Sequence, residues 1–352
     1  MMKYQGAKIE SVKARIILDS RGEPTIEVEI QVLGMKVSAS VPSGTSVGKY
    51  EAPVVEPAKA VLIINKLGKQ IVKREFASQQ IFDDWLKDHS SYANVTLPLS
   101  IVFSRVFETL PRPRNKKLPK LMVLVFEGGT HGDSSLKLQE IMVLARTVRQ
   151  GKKLYTELKK ALKDKGIDTD IGLEGGFSPN NISDKQALEI LTKVFSKKVR
   201  LCLDFGGSYF KGSNTEQEKF TDDFPVFSIE DPFGEDDWQS WQDFYKRFGK
   251  KCLLVGDDLT ATNLSRLRKA LRMKLINAVI VKPNQIGNIS DTLEFVKMAK
   301  KNKLKIIVSH RSGETNDPFI ADLALAVSAD FVKFGGLARG ERIAKYNRLL
   351  EI

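Results

Sequence analysis

The feature that most constrains the fold is a series of short apolar runs, each of which ends in a charged or polar residue. The runs span residues 201–204, 226–230, 253–257, 278–282, 306–310 and 331–333, and their last residues are Asp204, Glu230, Asp257, Lys282, His310 and Lys333. The gaps between those last residues are 26, 27, 25, 28 and 23. One strand, one helix and two loops occupy a repeat of this length, so the pattern predicts successive βα units.

The same spacing places each terminal side chain at the carboxyl end of its strand. In a closed parallel barrel those ends converge on one face, where barrel enzymes keep their chemistry. Any one of these residues alone would more often be a strand-end surface charge. Several in phase predict a site, because burying like charges together costs free energy unless a metal ion or a ligand compensates them.

The first third of the chain has a different character. Residues 25–32 alternate apolar and polar side chains, which predicts a half-buried antiparallel strand in a small sheet. A loop follows at residues 42–48, and helical periodicity appears near residues 58–72 and 97–110. This part of the chain is therefore predicted to be α+β.

A proline-rich basic stretch at residues 111–120 is the best boundary between the two parts. The length of 352 residues also exceeds what one ordinary core fills, whereas a barrel alone takes roughly 250. The prediction is an α/β protein with an N-terminal α+β capping domain at residues 1–118 and a C-terminal parallel β/α barrel at residues 119–352.

Composition excludes several classes of protein. No apolar segment is long enough for a secretory signal or a membrane span, so we expect a cytoplasmic protein without a membrane partner. Cys202 and Cys252 each lie in an apolar run, so both are predicted to be buried core residues.

The formal net charge of +13 favours anionic ligands. The stretch 111–120 has no interleaved aromatic residues, so it indicates a solvated linker rather than a nucleic-acid site.

Asp204, Glu230 and Asp257 would supply hard oxygen ligands from three neighbouring strands, which suits Mg²⁺ better than Zn²⁺. Lys282 follows on the next strand, and a lysine near a divalent cation can act as a base. The set is suited to removing a proton beside a carboxylate while the metal stabilises the resulting charge.

Two further positions have both a functional and a plain interpretation. Arg311 and Ser312 follow His310 and would form a cradle for a phosphate, although Arg311 could equally pair with a neighbouring acid. Glu174 lies in a glycine-rich turn at residues 172–176, where desolvation would keep a carboxyl group protonated as a general acid. It could also be a simple turn glutamate, and spacing does not decide between the two.

Longer motifs resemble the enolase family along almost the whole chain. They lie at residues 18–25, 41–52, 128–131, 138–140, 174–180, 228–232, 256–259, 282–287, 309–315 and 342–350. The Ser-His-Arg-Ser-Gly-Glu-Thr run at 309–315 and the Pro-Ser-Gly loop at 42–44 are similar to enolase itself rather than to its wider superfamily. The resemblance implies a TIM-like barrel with a capping domain and the dehydration of 2-phosphoglycerate to phosphoenolpyruvate.

The resemblance also implies roles at matching positions. Asp204, Glu230 and Asp257 would bind one Mg²⁺, and Ser46 would help to ligate a second ion, giving two in each site. Lys282 would be the base and Glu174 the acid, with Glu140 and Gln139 beside it. Lys333 would neutralise the substrate carboxylate, Arg311 and Ser312 would hold the phosphate, and His131 and His310 would line the pocket. Family members assemble as homodimers or higher homo-oligomers.

The chain departs from the family pattern in places. Leu173 stands where the family usually carries an aspartate, and residues 124–127 replace an asparagine-containing run. Several segments are shortened. Two alternative functions therefore stay open: a superfamily enzyme that acts on another acid, and a non-catalytic enolase-like protein that binds an acidic partner.

Overall fold

The computed structural model describes residues 8–44, 48–111, 117–129, 134–196, 199–210 and 212–352. The strands are β1 (Ile9–Leu18), β2 (Pro24–Val32), β3 (Met35–Ser40), β4 (Lys120–Glu127), β5 (Glu140–Ala145), β6 (Leu201–Asp204), β7 (Val226–Glu230), β8 (Leu253–Gly256), β9 (Ala278–Val281), β10 (Lys305–Ser309) and β11 (Phe331–Lys333). The helices are α1 (Pro57–Ile71), α2 (Gln79–His89), α3 (Ala93–Phe107), α4 (Val148–Asp164), α5 (Asp184–Phe195), α6 (Asn214–Asp223), α7 (Trp238–Phe248), α8 (Leu264–Met273), α9 (Ile289–Lys301), α10 (Phe319–Ala326) and α11 (Gly340–Glu351).

The N-terminal part is a three-stranded antiparallel sheet, β1-β2-β3, covered by α1 and α3, with α2 packed on α3. The alternation in β2 is confirmed: Ile26, Val28 and Ile30 are fully buried, while Glu27 and Glu29 between them are not. The helix predicted near residues 97–110 lies at Ala93–Phe107. Helix α2 was not predicted from the periodicity; it is short, and it packs on α3 through Phe82.

The C-terminal part is a closed barrel of eight strands in the order β10-β11-β4-β5-β6-β7-β8-β9. The prediction of an all-parallel barrel is wrong at one strand, because β5 runs antiparallel to both β4 and β6. The connection between β4 and β5 is residues 128–139, and its described part contains no crossover helix of the kind that usually joins parallel strands. The reversal pairs Glu140, the first residue of β5, with Asp204, the last residue of β6.

The core of the barrel is built from apolar strand residues on both faces of the sheet, as expected for strands buried on both sides. Cys202 and Cys252 are free and buried, which confirms the prediction that they are core residues. Among the described helices, none combines the length and the apolar character that crossing a membrane would require.

The capping sheet is fastened to the carboxyl-end rim of the barrel through the segment after β10. Ser43 and Gly313 exchange backbone hydrogen bonds of 2.8 and 2.9 Å. The Ser40 amide donates to Asp317 at 2.9 Å, and the Arg105 guanidinium also pairs with Asp317. The sequence motif at residues 309–315 is therefore held between the two parts of the chain.

Helix α11 holds the segment at residues 309–315 through two buried basic side chains. Lys345 is fully buried and pairs with Glu314 at 2.7 Å, while Glu314 accepts hydrogen bonds from the amides of Arg311 and Thr315 at 3.1 Å. Arg342, also fully buried, donates to the carbonyl oxygens of Arg311 and Ser312 at 2.7 Å.

We expect Lys345→Met to destabilise the protein by about 3 kcal/mol or more, because Glu314 would remain as an uncompensated buried charge. The double variant Lys345→Met/Glu314→Gln should recover part of that loss, since it removes the charge as well. Denaturant unfolding measures both variants. Equal losses in the single and the double variant would show that the ion pair is not the cause.

Candidate active site

The strand-end residues predicted from the spacing do gather at one rim of the barrel. Asp204, Glu230 and Lys333 end β6, β7 and β11, and Asp257, Lys282 and His310 directly follow β8, β9 and β10. A pocket opens at this rim and is lined by Gln139, Glu140, Glu174, Asp204, Tyr209, Asp257, Asp258, Lys282, Ser309, His310, Arg311, Ser312 and Lys333. Lys282 therefore lies at the same end of the barrel as the carboxylates.

Lys333 is the electrostatic centre of this rim. Its ammonium nitrogen lies 2.8 Å from carboxylate oxygens of both Asp204 and Glu230, and 3.2 Å from an oxygen of Glu140. Burial alone would lower the pKa of Lys333, but the attraction of these carboxylates outweighs it and holds the pKa well above its usual value. Burial, followed by repulsion from Asp204, raises the pKa of Glu230 to about 8.

Lys282 pairs directly with Asp257, and both side chains are mostly buried. Desolvation alone would lower the pKa of Lys282, but the Asp257 carboxylate outweighs it, so the pKa is raised. Desolvation would conversely raise the pKa of Asp257, and Lys282 and Lys333 together bring it below its usual value. The amine is therefore charged in this arrangement, and any role as a base requires another cation to take over Asp257.

Glu174 and His310 form another part of the wall. An oxygen of Glu174 lies 3.2 Å from Nε2 of His310, and both residues are buried beside Glu140. Burial lowers the pKa of His310 to about 3, so the imidazole is neutral at physiological pH. The structure thus brings together Glu174, Glu140 and His310, as predicted, and Gln139 also lines the pocket.

Arg311 pairs with an acidic neighbour, which was one of the two possibilities left open by the sequence. Its guanidinium nitrogens donate to the two carboxylate oxygens of Glu51 at 2.9 and 3.0 Å, in a bidentate pair. Arg311 nevertheless lines the pocket together with Ser309 and Ser312. Both interpretations of Arg311 therefore remain compatible with the geometry, since the pair with Glu51 holds the guanidinium at the pocket wall.

The donor set fits a divalent cation. Carboxyl groups at this rim, among the described residues, outnumber the lysine and arginine side chains, and oxygen-only ligands suit Mg²⁺. The excess of carboxyl groups affects Asp258, because burial, followed by repulsion from Asp257, raises the pKa of Asp258 to about 7. Two groups of described residues could hold an ion by the distances between their ligand atoms: Glu140, Glu174 and His310, and Asp231, Asp257 and Asp258, each within 4.8 Å. The predicted set of Asp204, Glu230 and Asp257 is not one of these groups, and the ammonium group of Lys333 lies against both Asp204 and Glu230 in this structure.

The structure adds residues that the strand-end spacing did not single out. Tyr209, Asp258 and Ser309 line the pocket, and Asp231 accepts hydrogen bonds from the amides of Asp257 and Asp258 at 3.0 and 2.7 Å. Asp231 and Asp258 each directly follow a predicted strand-end residue, so the acid pairs at 230–231 and 257–258 carried a signal. Ser46 and His131, also predicted, lie outside the described residues.

The lowered pKa of His310 makes stability depend on pH. The unfolded chain binds a proton on this side chain below about pH 6.5 and the folded chain only near pH 3, so this contribution falls as pH decreases between those values. Between pH 7 and pH 5, the free energy of unfolding should therefore fall by about 2 kcal/mol less in His310→Gln than in the wild type, because the variant lacks this titrating group. Denaturant titration at the two pH values measures the difference. His89→Gln replaces an exposed histidine, and an equal effect there would show that burial of His310 is not responsible.

Comparison with protein families agrees with this architecture in both parts of the chain. The model described as "Enolase, N-terminal domain" matches residues 9–105. The model described as "Enolase, C-terminal TIM barrel domain" matches residues 115–219 and 213–352. Enolases are typically metal-dependent, in keeping with the acidic clusters at the rim. The chain belongs to the enolase family, and its domains are those of an enolase-superfamily lyase.

Proposed function

We propose that this protein catalyses the Mg²⁺-dependent, reversible dehydration of 2-phospho-D-glycerate to phosphoenolpyruvate. The observation that carries the proposal is the arrangement of Lys282 and Glu174 in one pocket. Lys282 follows β9, whereas the turn that contains Glu174 packs against the end of β4, and β10 and β11 separate those two strands. An amine and a carboxyl group thus enter the pocket from different parts of its wall, as an elimination with separate base and acid requires.

The reaction removes water across one carbon–carbon bond. Lys282 takes the proton from carbon 2, the bond from carbon 3 to its hydroxyl breaks, and Glu174 gives that hydroxyl the proton with which it leaves as water. The electron pair of the broken C–H bond becomes the new double bond. Neutral His310, 3.2 Å from Glu174, holds the acid carboxyl group in place.

Asp204, Glu230 and Asp257 would hold a Mg²⁺ ion, and Ser46 would contribute to a second. When bound, the ion would supply positive charge against the substrate carboxylate and so make the adjacent proton more acidic. Lys333 adds a second positive charge at the same place, because its ammonium group lies between Asp204 and Glu230.

The other end of the substrate would be a phosphate. Arg311 presents a planar guanidinium that is suited to phosphate oxygens, and Glu51 fixes its orientation through two hydrogen bonds. Ser312 lies beside it in the pocket. These two residues favour a phosphorylated acid over the other acids on which superfamily enzymes act.

The first test follows phosphoenolpyruvate formation by absorbance with 2-phosphoglycerate and Mg²⁺. Lys282→Ala should lower kcat by at least about a thousandfold, because the base is lost, and EDTA should abolish turnover. Lys246→Ala, at an exposed lysine of α7, should behave like the wild type. Turnover that survives Lys282→Ala would remove Lys282 as the base, and a wild type without turnover that retains RNA tightly would favour the binding-protein alternative.

The second test measures metal binding without catalysis. Mg²⁺ at a hundred times its Kd should stabilise the wild type by about 2.7 kcal/mol, seen as a rise in Tm. Asp257→Asn should lose most of this rise, whereas Asp243→Asn, at an exposed acid of α7, should keep it. A rise of equal size in both variants would place the metal elsewhere.

A further inference from the structure

Glu127 is a fully buried carboxyl group that the proposed reaction does not use. It ends β4, at the same rim as the pocket, and its exposed fraction is 0%. It does not line the pocket, so it does not contact a substrate there. A buried acid costs free energy unless hydrogen bonds or opposite charges compensate it, and its contacts therefore indicate what it does.

Those contacts lead to the backbone of the turn that carries Glu174. Both carboxylate oxygens of Glu127 accept from the amide of Glu174, at 3.2 and 3.1 Å, and one of them also accepts from the amide of Gly176, at 2.8 Å. The main chains are joined as well: the Glu127 amide donates to the Phe177 carbonyl at 3.0 Å. Glu127 thus binds the turn at Glu174 itself and at the residues that follow it.

The turn is shaped to receive this carboxylate. A Cβ atom at Gly172 would lie 1.6 Å from an oxygen of Glu127, and one at Gly176 would lie 3.1 Å from the other oxygen. Gly175 has a φ of +91°, a backbone conformation that residues other than glycine rarely adopt. The glycines therefore allow the backbone to wrap closely around the Glu127 side chain.

We infer that Glu127 is a positioning residue for Glu174, which it holds in the pocket by binding the amides of residues 174 and 176. The inference rests on the proposed function for the role of Glu174 as the acid. It assigns no contact with the substrate to Glu127 itself.

The carboxylate is better suited to this task than an amide would be. Two oxygens allow Glu127 to accept at every contact, whereas a glutamine would place an NH₂ group against the backbone N–H of Glu174. Burial, followed by repulsion from Glu174, raises the pKa of Glu127 to about 8, and the hydrogen bonds of the turn and the charge of Arg342 oppose that shift. The accepted hydrogen bonds and Arg342 thus offset only part of the cost of burying the charge, and the carboxylate that accepts at all three contacts is the form present above about pH 8.

The kinetic test uses Glu127→Gln with 2-phosphoglycerate in deuterium oxide, at a pH above 8 where the Glu127 carboxyl group is ionised. We expect kcat for elimination to fall about tenfold, because a hydrogen bond to a charged group is replaced by a donor–donor contact, while KM changes less than about twofold. Exchange of the hydrogen on carbon 2 with solvent should continue at close to the wild-type rate, because Lys282 is untouched. A parallel loss of exchange and elimination would overturn the inference.

The structural test does not depend on turnover. Hydrogen–deuterium exchange of the peptide covering residues 171–178 should be about tenfold faster in Glu127→Gln than in the wild type. Glu127→Asp, which keeps two acceptor oxygens, should restore part of the protection and part of kcat. If the wild type had no activity towards 2-phosphoglycerate, the proposed function would fail, and this exchange measurement would still decide whether Glu127 holds the turn.

Asp83→Asn is the matched control. Asp83 is also a fully buried acid that accepts a backbone hydrogen bond, from Ser290 at 2.9 Å, but it lies in α2 against α9, away from the pocket. Its loss should lower the stability without changing either the exchange of residues 171–178 or the ratio of exchange to elimination at carbon 2. If Asp83→Asn reproduced the changes of Glu127→Gln, the role of Glu127 would be general stability and the inference would be wrong.

Discussion

The structure depends on the mutual compensation of buried charges at one end of the barrel. Lys333 lies among Asp204, Glu230 and Glu140, and Lys282 lies against Asp257. Each of these groups would cost free energy to bury alone, and the four carboxyl groups together outnumber the two lysines. That shortage of positive charge favours the proposed cation at this rim, and burial together with repulsion from Asp204 raises the pKa of Glu230 to about 8.

A second layer of charges holds the loops around this site. Glu51 fixes Arg311, Glu314 and Lys345 fix the segment that follows, and Glu127 fixes the turn of Glu174. In each case a buried acid accepts hydrogen bonds either from the backbone or from a guanidinium that reaches the pocket. The loops at the rim are thus set by charged hydrogen bonds, which are stronger than neutral ones and more specific in geometry. The site is held from the segment between β3 and α1, from α11 and from β4 at once.

The periodic part of the fold could be predicted from the chain alone. Strand-end residues recur at a nearly constant spacing, and the six of them that this spacing singled out do meet at one rim, because parallel βα units leave their carboxyl ends on the same side. The direction of β5 could not be obtained in this way. It shows only in the pairing of β5 with both of its neighbours, and the reversal is what brings Glu140, the first residue of its strand, to the same rim as Asp204.

By itself, then, the sequence determined the barrel, the capping sheet and the identity of the charged residues, because periodicity and motif are local properties of the chain. Only the tertiary structure decided which charges pair. Glu51 meets Arg311 and Glu127 meets the amide of Glu174 across separations of 260 and 47 residues, and no local pattern encodes such contacts. The free energy of a buried carboxylate depends on what surrounds it in space, so its role emerges only when the chain has folded.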